Sequence, residues 1–392
     1  MSMFILIELL LIFGREFSKF HLFSVFYLYD FLFILLGLIG LIVLIVNRKF
    51  SFHWPIISFI GISIIYLAYS LIFNIGPINY IARHFAIFAY LAIFYVIYQA
   101  YIDRTRHELN IRFILLIIAL SVLFQIGYYF YYFIMKDSFQ LLGEFNYYSP
   151  MTIMGIIMFS AFVLSYPLRI SWKVSLYCLA LFLSITLGHA SSFLACFIML
   201  FAYLGFKVIP ALKVQLLILG ALSTIVIYLM VPAFSDVNTS WRLIYWKDIL
   251  TKQITEQYGV IGNGFGVPFV DDKLATTLLD ELRQSSFDYQ PEERFLSPPH
   301  NSFITFIFHI GLLPALLLFL PLKRPFQYIA GKPRIPSFRK EFLLLGFIGL
   351  TIWSSFNVVL ELPHSSAFYW LVYFSLIFQF NIQHTDEFDQ EK

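Results

Sequence analysis

Long apolar runs recur along the whole chain, and they restrict its possible folds more than any other feature. Runs of roughly 18 or more apolar residues are long enough to cross a bilayer as helices. Over 392 residues the chain is 60% hydrophobic and only 12% charged, whereas soluble domains carry about 25% charged residues. Backbone amides in lipid must be paired within each segment, so the spans are expected to be helical. The sequence therefore predicts an all-α polytopic membrane protein.

The hydropathy pattern predicts about twelve transmembrane helices and one long polar loop. The loop, residues 232–300, falls between spans nine and ten. It separates an N-terminal bundle (1–231) from a C-terminal bundle with a polar tail (301–392). The predicted spans are 3–14, 27–46, 54–73, 80–100, 112–135, 148–166, 172–188, 190–207, 209–231, 301–322, 341–360 and 365–382.

Two features of these apolar runs bear on processing and redox chemistry. The first segment lacks the basic and small-residue signals of a cleaved signal peptide, so we interpret it as an uncleaved span or an interfacial helix. Cys178 and Cys196 both lie inside apolar runs. Their positions favour two core residues over a disulfide.

The distribution of Lys and Arg among the short loops predicts the orientation of the chain. One set of alternate loops holds fifteen basic residues, and the opposite set holds only Arg15, Lys19, Arg83 and Lys136. Loops rich in Lys and Arg stay in the cytoplasm, whereas long loops cross the membrane regardless of charge. Residues 232–300 are therefore predicted to lie on the external face, with both termini inside.

The external loop begins with a segment of helical periodicity, SWRLIYWKDILTKQI. Ser240 is a candidate cap for a helix that begins at Trp241. The apolar positions that follow share one stripe at helical spacing: Leu243, Trp246, Leu250 and Ile254. This pattern predicts a helix on the membrane surface, with its tryptophans at headgroup level.

Arg242 lies off that stripe, at the start of the predicted helix, and two interpretations of it stay open. In the first, its side chain simply reaches the phosphates of membrane lipids. In the second, its planar guanidinium holds a diphosphate, because two parallel N–H donors match the spacing of phosphate oxygens.

A glycine-rich turn, GVIGNGFGVP, follows the helix. Its glycines and Asn263 suit a turn whose backbone comes close to a ligand or to membrane helices, and Gly264 lies at its centre. A nucleotide-binding loop is disfavoured because no buried strand precedes the turn. The sequence contains no HExxH motif and no His–carboxylate cluster, so no metal site is predicted.

The loop ends at PPHNSFITFIFHIG, where His, Asn and Ser stand at the mouth of an apolar run. Pro298 and Pro299 favour a helix that starts just beyond them, and Asn301 or Ser302 is expected to cap it. His300 has no such structural explanation. The positive end of the helix dipole disfavours its protonated form, so a neutral imidazole there can accept a proton. An ordinary interfacial histidine is the alternative.

Taken in order, these stretches resemble the superfamily of bacterial O-antigen ligases and O-antigen polymerases. The matching features are Arg and Trp four apart in SWRLIYWKDI, Gly-x-Gly-x-Gly in GNGFG, and His-Asn at the mouth of a span in HNSFITFIFHIGLLPALLL. The stretch GEFNYYSPMTIMG, which contains Asn146, is similar to the family's Asn-containing external loop. GHASSFLACF stands where the family often has Ser-Arg, and here that arginine is absent.

The resemblance implies a metal-independent, cofactor-free glycosyltransferase of the GT-C type in the bacterial inner membrane. Its donor would be a glycan on undecaprenyl diphosphate, presented at the periplasmic face. By the same resemblance, His300 is the base that deprotonates the acceptor hydroxyl, and Arg242 holds the diphosphate leaving group. A single displacement by the acceptor oxygen would invert the anomeric centre.

The substrate-binding residues expected beside this pair are Arg83, Asn146, Trp246, Gly264 and Asn301. Arg83 begins the fourth span at the external face, and it is the candidate replacement for the absent arginine. Asn146 and Asn301 are expected to orient the sugar or His300. Glu361 and His364 lie at the same face, where simple solvation would explain them.

Within the superfamily, the favoured function is the polymerase, whose acceptor is a second lipid-linked repeat unit. The alternative is the ligase, whose acceptor is lipid A-core. Membrane lipids and a chain-length regulator or flippase are further expected partners, and nucleic acid is not. Two other classes stay open: a flippase or transporter, which predicts ionisable residues at mid-membrane depth, and a non-catalytic assembly subunit, which would tolerate loss of His300.

Overall fold

A computed structural model describes most of the chain. The described residues are 21–23, 26–47, 50, 52–101, 107–136, 150–186, 190–208, 237–255, 260–282, 293–330 and 337–390, with isolated positions between 212 and 223. Three sequence predictions lie outside them: the first span (3–14), most of the ninth (209–231) and Asn146.

The described part is mostly helical. An antiparallel hairpin, β1 (His21–Phe23) and β2 (Phe26–Tyr27), precedes the first described helix. The helices that follow are α1 (Leu28–Asn47), α2 (Trp54–Ile72), α3 (Ile78–Tyr101), α4 (His107–Lys136), α5 (Pro150–Ser165), α6 (Ile170–Thr186), α7 (Ala190–Tyr203), α8 (Val237–Thr255), α9 (Asp272–Leu282), α10 (Glu293–Leu296), α11 (Ser302–Ile310), α12 (Leu312–Leu316), α13 (Lys323–Ala330), α14 (Phe338–Ser354) and α15 (Pro363–Gln390). A π-helical turn extends α7, and a 3-10 turn (Leu317–Leu322) joins α12 to α13.

Three of the described helices are long and apolar enough to cross a membrane. They are α1, α2 and residues Ile78–Ala100 of α3, with 20, 19 and 23 residues. α1 exposes large apolar side chains along one side, including Leu38, Ile42 and Ile45 at 56%, 61% and 66%. Such a surface is typical of a helix that faces lipid. Five shorter apolar helices accompany them, and the count of twelve spans stays a prediction.

α5 lies at the centre of the bundle, where thirteen of its sixteen residues are buried. It packs against α4, α6 and α14. Gly346 and Gly349 of α14 allow a close approach, because added Cβ atoms would lie 2.4 Å from the Met158 sulfur and 2.7 Å from the Ile157 side chain. Small residues at such crossings let membrane helices pack tightly.

The two cysteines differ in their surroundings, and both are free. Cys196 is buried, as predicted, and its sulfur accepts a 3.1 Å hydrogen bond from Ser160. Cys178 is exposed on α6, so the prediction of a second core cysteine is wrong. An apolar run does not distinguish the two faces of its helix, since lipid-facing positions are apolar as well.

The predicted span 301–322 is a broken helix. α11 ends at Ile310, Gly311 adopts a φ of 89°, and α12 follows at once. A Cβ on Gly311 would lie only 2.5 Å from the carbonyl oxygen of Val260. Glycine is therefore required both for the left-handed backbone and for the close approach of the loop. A lone glycine in an apolar run is also compatible with a continuous helix, which is why the sequence did not predict the break.

α8 buries a different face from the one predicted. The helix begins before Ser240, which therefore does not cap it. Trp241 and Tyr245 are buried, whereas Leu243 and Ile254 of the predicted stripe are 51% and 62% exposed. The reason is tertiary: α8 packs its buried face against α9 and α11 in a small second core.

Candidate substrate-binding site

Two side chains of α8 hydrogen-bond to the backbone segment that leads into α11. The indole of Trp246 donates from Nε1 to the carbonyl oxygen of Pro299 over 2.5 Å. The Tyr245 hydroxyl donates to the carbonyl oxygen of Ser297 over 2.8 Å. Both bonds come from consecutive residues of α8, and together they hold the backbone just before His300.

His300 and Asn301 form the turn into α11. His300 has a φ of 50°, a left-handed conformation that residues other than glycine rarely adopt. Asn301 caps the helix, as predicted, because its Oδ1 accepts from the amides of Phe303 and Ile304 at 3.1 Å each. The cap and the anchored segment before it hold His300 in this strained position.

The two residues predicted to be catalytic meet at one indole. The ring of His300 lies 5.1 Å from that of Trp241, edge-on at 87°. The guanidinium carbon of Arg242 lies 5.7 Å from the same indole. Arg242 also donates from Nη1 to the carbonyl oxygen of Phe356 over 3.2 Å. His300 and Arg242 therefore both neighbour Trp241, His300 from a distant part of the sequence and Arg242 as the next residue along α8.

A cavity of about 210 Å³ lies beside this turn. Pro298, two residues before His300, contributes to its wall. The polar residues that line it include Arg83, His84, Thr305, His309 and Glu361. Among the predicted site residues that the structure describes, Arg83 is the one that lines this cavity.

The guanidinium of Arg83 is held from several sides. Nη1 lies 3.6 Å from Asp30 Oδ2 and donates to the Tyr90 hydroxyl over 3.2 Å. Nη2 donates to the carbonyl oxygen of Glu361 over 3.0 Å, and the guanidinium carbon lies 4.8 Å from the Tyr27 ring. Because Asp30 balances its charge, Arg83 presents an ion pair to the cavity. Its role as a cation for the diphosphate stays a prediction.

The glycine-rich turn hydrogen-bonds to both histidines in the cavity wall. The Gly266 amide donates to His84 Nδ1 over 3.1 Å, and the Gly264 carbonyl accepts from His309 Nδ1 over 2.8 Å. Gly264 and Gly266 have φ values of 80° and 87°. A Cβ on Gly76 would lie 2.1 Å from the carbonyl oxygen of Gly266. The prediction that this turn allows a close backbone approach to the apolar helices is therefore confirmed.

These bonds assign opposite tautomers to the two imidazoles. His84 accepts at Nδ1, so its proton is on Nε2, which donates to the carbonyl oxygen of Phe295 over 2.7 Å. A carbonyl oxygen only accepts, so the bond to Gly264 puts the proton of His309 on Nδ1. His309 Nε2 is then an acceptor. It is buried and has no hydrogen-bond partner among the described residues.

Two hydroxyl groups of α11 donate hydrogen bonds to the Glu361 carboxylate, so Glu361 is not simply a solvated surface residue. Ser302 donates to Oε2 and Thr305 donates to Oε1, each over 2.6 Å. The Ser302 oxygen also accepts from the amides of Val359 and Leu360 at 3.1 and 3.0 Å. Burial raises the pKa of the Glu361 carboxyl, and the two hydroxyl donors oppose that rise.

The polar residues of α11 were missed as site residues, although the sequence carries a signal for them. Ser302, Thr305 and His309 are spaced by three and four positions in an otherwise apolar run. Such spacing puts all three on one face of a helix. Polar residues on one face of an apolar helix are expected to point to a protein interior or a cavity.

No metal ligands are apparent in the part of the chain that the structure describes. No group of three or more His, Cys, Asp and Glu side chains there could hold a metal ion. His364 was predicted to lie at the same face, but its side chain lies outside the described residues.

Comparison with known proteins gives no match: neither a family model, nor a curated protein, nor a solved structure is significantly similar to this chain. The site is therefore interpreted from its own residues and geometry.

Proposed function

We propose that this protein is a glycosyltransferase of the bacterial inner membrane. It transfers a glycan from undecaprenyl diphosphate to a hydroxyl acceptor at the periplasmic face. The observation that supports this most directly is that His300 and Arg242 both lie beside the indole of Trp241. An imidazole and a guanidinium are thereby placed near the turn into α11.

The proposed reaction needs both groups. The acceptor oxygen attacks the anomeric carbon of the donor while His300 takes the hydroxyl proton. The bond from that carbon to the diphosphate oxygen breaks, and the electron pair leaves with the diphosphate. Arg242 stabilises the charge that develops there. This single displacement inverts the anomeric centre, and it uses no metal or nucleotide.

The strained turn into α11 is well suited to such a role. The α8 bonds to Ser297 and Pro299 and the cap at Asn301 leave His300 little freedom. Holding a base in a fixed geometry lowers the entropic cost of bringing it to the acceptor. Trp246 and Asn301 would then act by positioning His300 as well as by contacting substrate.

We favour polymerisation of lipid-linked repeat units, with ligation to lipid A-core as the alternative. A flippase is less well supported. The buried pair of Asp30 and Arg83 is the kind of feature that a transporter uses. However, both residues lie near the beginning of their helices, α1 and α3, and not in the middle.

The proposed function is tested by complementing a deletion strain with variants of the full chain. His300→Ala should reduce glycan transfer by about 100-fold or more, the usual contribution of a general base. Arg242→Lys should reduce it by about tenfold or more, because an ammonium group cannot make the two parallel contacts of a guanidinium. The readout is surface glycan resolved by size, at matched protein levels.

His53→Ala and Lys247→Ala are the matched controls. His53 packs against Tyr95 and Phe378, and Lys247 is an exposed residue of the same helix as Arg242. Both controls should restore the glycan of the wild type. Near-normal glycan from His300→Ala and from Arg242→Lys would reject the proposed chemistry.

A further inference from the structure

A residue in the wall of the cavity beside α11 carries a buried acceptor that no described residue satisfies. His309 is fully buried, and Nε2 has no hydrogen-bond partner in the described part of the chain. The other ring nitrogen is occupied by Gly264 at 2.8 Å, so the ring cannot turn without losing that bond. Leaving a buried acceptor without a partner is unfavourable. Each such group in a folded protein calls for an explanation, and a bound molecule is one.

The neighbouring histidine provides an internal contrast. Both nitrogens of His84 have protein partners, the Gly266 amide and the Phe295 carbonyl, at 3.1 and 2.7 Å. The two rings lie 4.9 Å apart and line the same cavity. The missing partner is thus specific to His309 and is not a general property of this wall.

The chemistry of the wall favours a ligand that donates hydrogen bonds and carries no net charge. Besides the acceptor on His309, the wall has the carboxyl of Glu361, and the guanidinium of Arg83 is paired with Asp30. Phe269 and Phe295 add apolar surface. Neutral hydroxyl groups on an apolar ring suit this combination, because they can donate to His309 and Glu361 and they leave the charge of Arg83 balanced by Asp30.

The size of the cavity restricts the ligand further. A volume of about 210 Å³ is several times the ~30 Å³ share of one liquid water. It is smaller than the ~300–1,000 Å³ of typical pockets for drug-sized molecules. A space of this size accommodates one small ring.

We infer that this cavity is a subsite for a single sugar ring, and that a sugar hydroxyl donates a hydrogen bond to His309 Nε2. The inference deepens the proposed function and rests on it for the source of the sugar, which is one residue of the glycan. In this role His309 binds substrate, and the proton transfer stays with His300. The glycine-rich turn is a positioning element, because Gly264 sets the tautomer that leaves Nε2 free to accept.

Binding of simple glycosides tests the inference without requiring turnover. The full-length protein in lipid nanodiscs is titrated with methyl β-glucoside, methyl β-galactoside, methyl α-rhamnoside and methyl N-acetyl-β-glucosaminide, followed by saturation-transfer NMR. At least one glycoside should bind the wild type. His309→Asn should weaken it by about three- to tenfold. The Asn amide nitrogen can still donate to Gly264, but the Nε2 acceptor is lost.

Two further variants separate binding from misfolding. His309→Gln can bring an amide oxygen close to the position of Nε2, so it should restore much of the affinity. Leu296 lines the cavity and is 44% exposed, so Leu296→Trp should fill the space without disturbing the core. It should weaken glycoside binding while the melting temperature stays close to that of the wild type.

Several outcomes would overturn the inference. One is that no glycoside binds, and another is that a glycoside binds equally to the wild type and to His309→Asn. A third is that choline or inorganic phosphate binds in a way that depends on His309, while no glycoside binds in that way. Loss of glycan transfer on mutating His300 and Arg242 would still support the proposed function in those cases. The opposite combination is also possible. If glycoside binding depends on His309 but the His300 and Arg242 variants transfer glycan normally, the subsite is retained and the proposed chemistry is rejected.

Discussion

His309 donates a hydrogen bond from Nδ1 to the carbonyl oxygen of Gly264 over 2.8 Å. The Gly264 amide in turn donates to the carbonyl oxygen of His309 over 3.0 Å. The two residues are thus joined through side chain and backbone. Their pairing connects the glycine-rich turn to the last turn of α11, and it decides which imidazole nitrogen is left as an acceptor.

Gly264→Ala should destabilise the protein. The residue has a φ of 80°, and an added Cβ would lie 2.8 Å from Ser70 Oγ. The left-handed backbone alone costs an L-residue about 1–2 kcal/mol. The strained turn should also release His309, so glycan transfer should fall with the apparent melting temperature. Both are measured on the purified protein in one detergent and at one scan rate.

Gly61→Ala is the control for that substitution. Gly61 lies inside α2, and an added Cβ there meets nothing within 4 Å. Alanine is favoured over glycine by about 1 kcal/mol in a helix interior, so this variant should be as stable as the wild type or slightly more so. Equal melting temperatures for the two alanine variants would show that the turn at Gly264 is not strained by a side chain.

The features that the sequence predicted well depend on local chemistry. Asn301 caps α11 because the cap needs only its own oxygen and two nearby amides. The glycine-rich turn was recognised because close backbone approach requires residues without side chains. The bounds of α1, α2 and α3 follow from long apolar runs, which a helix needs in order to cross a bilayer.

The features that the sequence did not predict depend on distant partners. The buried face of α8 was misjudged because Tyr245 and Trp241 pack on α9 and α11, which lie far along the chain. The spacing of His309 from Ser302 and Thr305 marks one polar face of α11, but the sequence does not show what that face contacts. The bond from His309 Nδ1 to Gly264, which leaves Nε2 as an acceptor, is visible only in the fold.

The orientation of the chain gives a prediction that is independent of catalysis. Thr276 in α9 and Gln327 in α13 are both exposed, and the Lys and Arg bias puts them on opposite sides of the membrane. In a background of Cys178→Ser and Cys196→Ala, Thr276→Cys should react with an impermeant thiol reagent in intact spheroplasts. Gln327→Cys should react only after the membrane is opened. The reverse pattern would move His300 and Arg242 to the cytoplasmic face.

Glu361 should make the stability of the protein depend on pH. Burial raises the pKa of its carboxyl above the ordinary value of 4.5. The folded state therefore binds this proton more tightly than the unfolded state does. The contribution to stability is fully present below about pH 4.5 and is lost as the pH rises through the raised value.

Glu361→Gln, which cannot titrate, isolates that contribution. The melting temperature of the wild type relative to this variant should fall as the pH rises from about 4 to about 8. Other titrating groups cancel because both proteins contain them. A difference that is constant with pH, or that grows as the pH rises, would mean that the pKa of Glu361 is not raised in the folded protein.

The last prediction separates polymerisation from ligation. Both reactions use the same donor, so variants of His300 and Arg242 do not distinguish them, whereas the acceptor does. A polymerase product stays on the lipid carrier and lengthens, while a ligase product moves to lipid A-core at unchanged length.

The 232–300 loop supports the polymerase because its six basic residues are outnumbered by acidic ones. Such a loop does not suit the anionic lipid A-core. In a cell with a separate ligase, a deletion strain should therefore carry lipid A-core with at most one repeat unit, resolved by gel electrophoresis. Long polymer on undecaprenyl diphosphate together with bare core would identify the ligase instead.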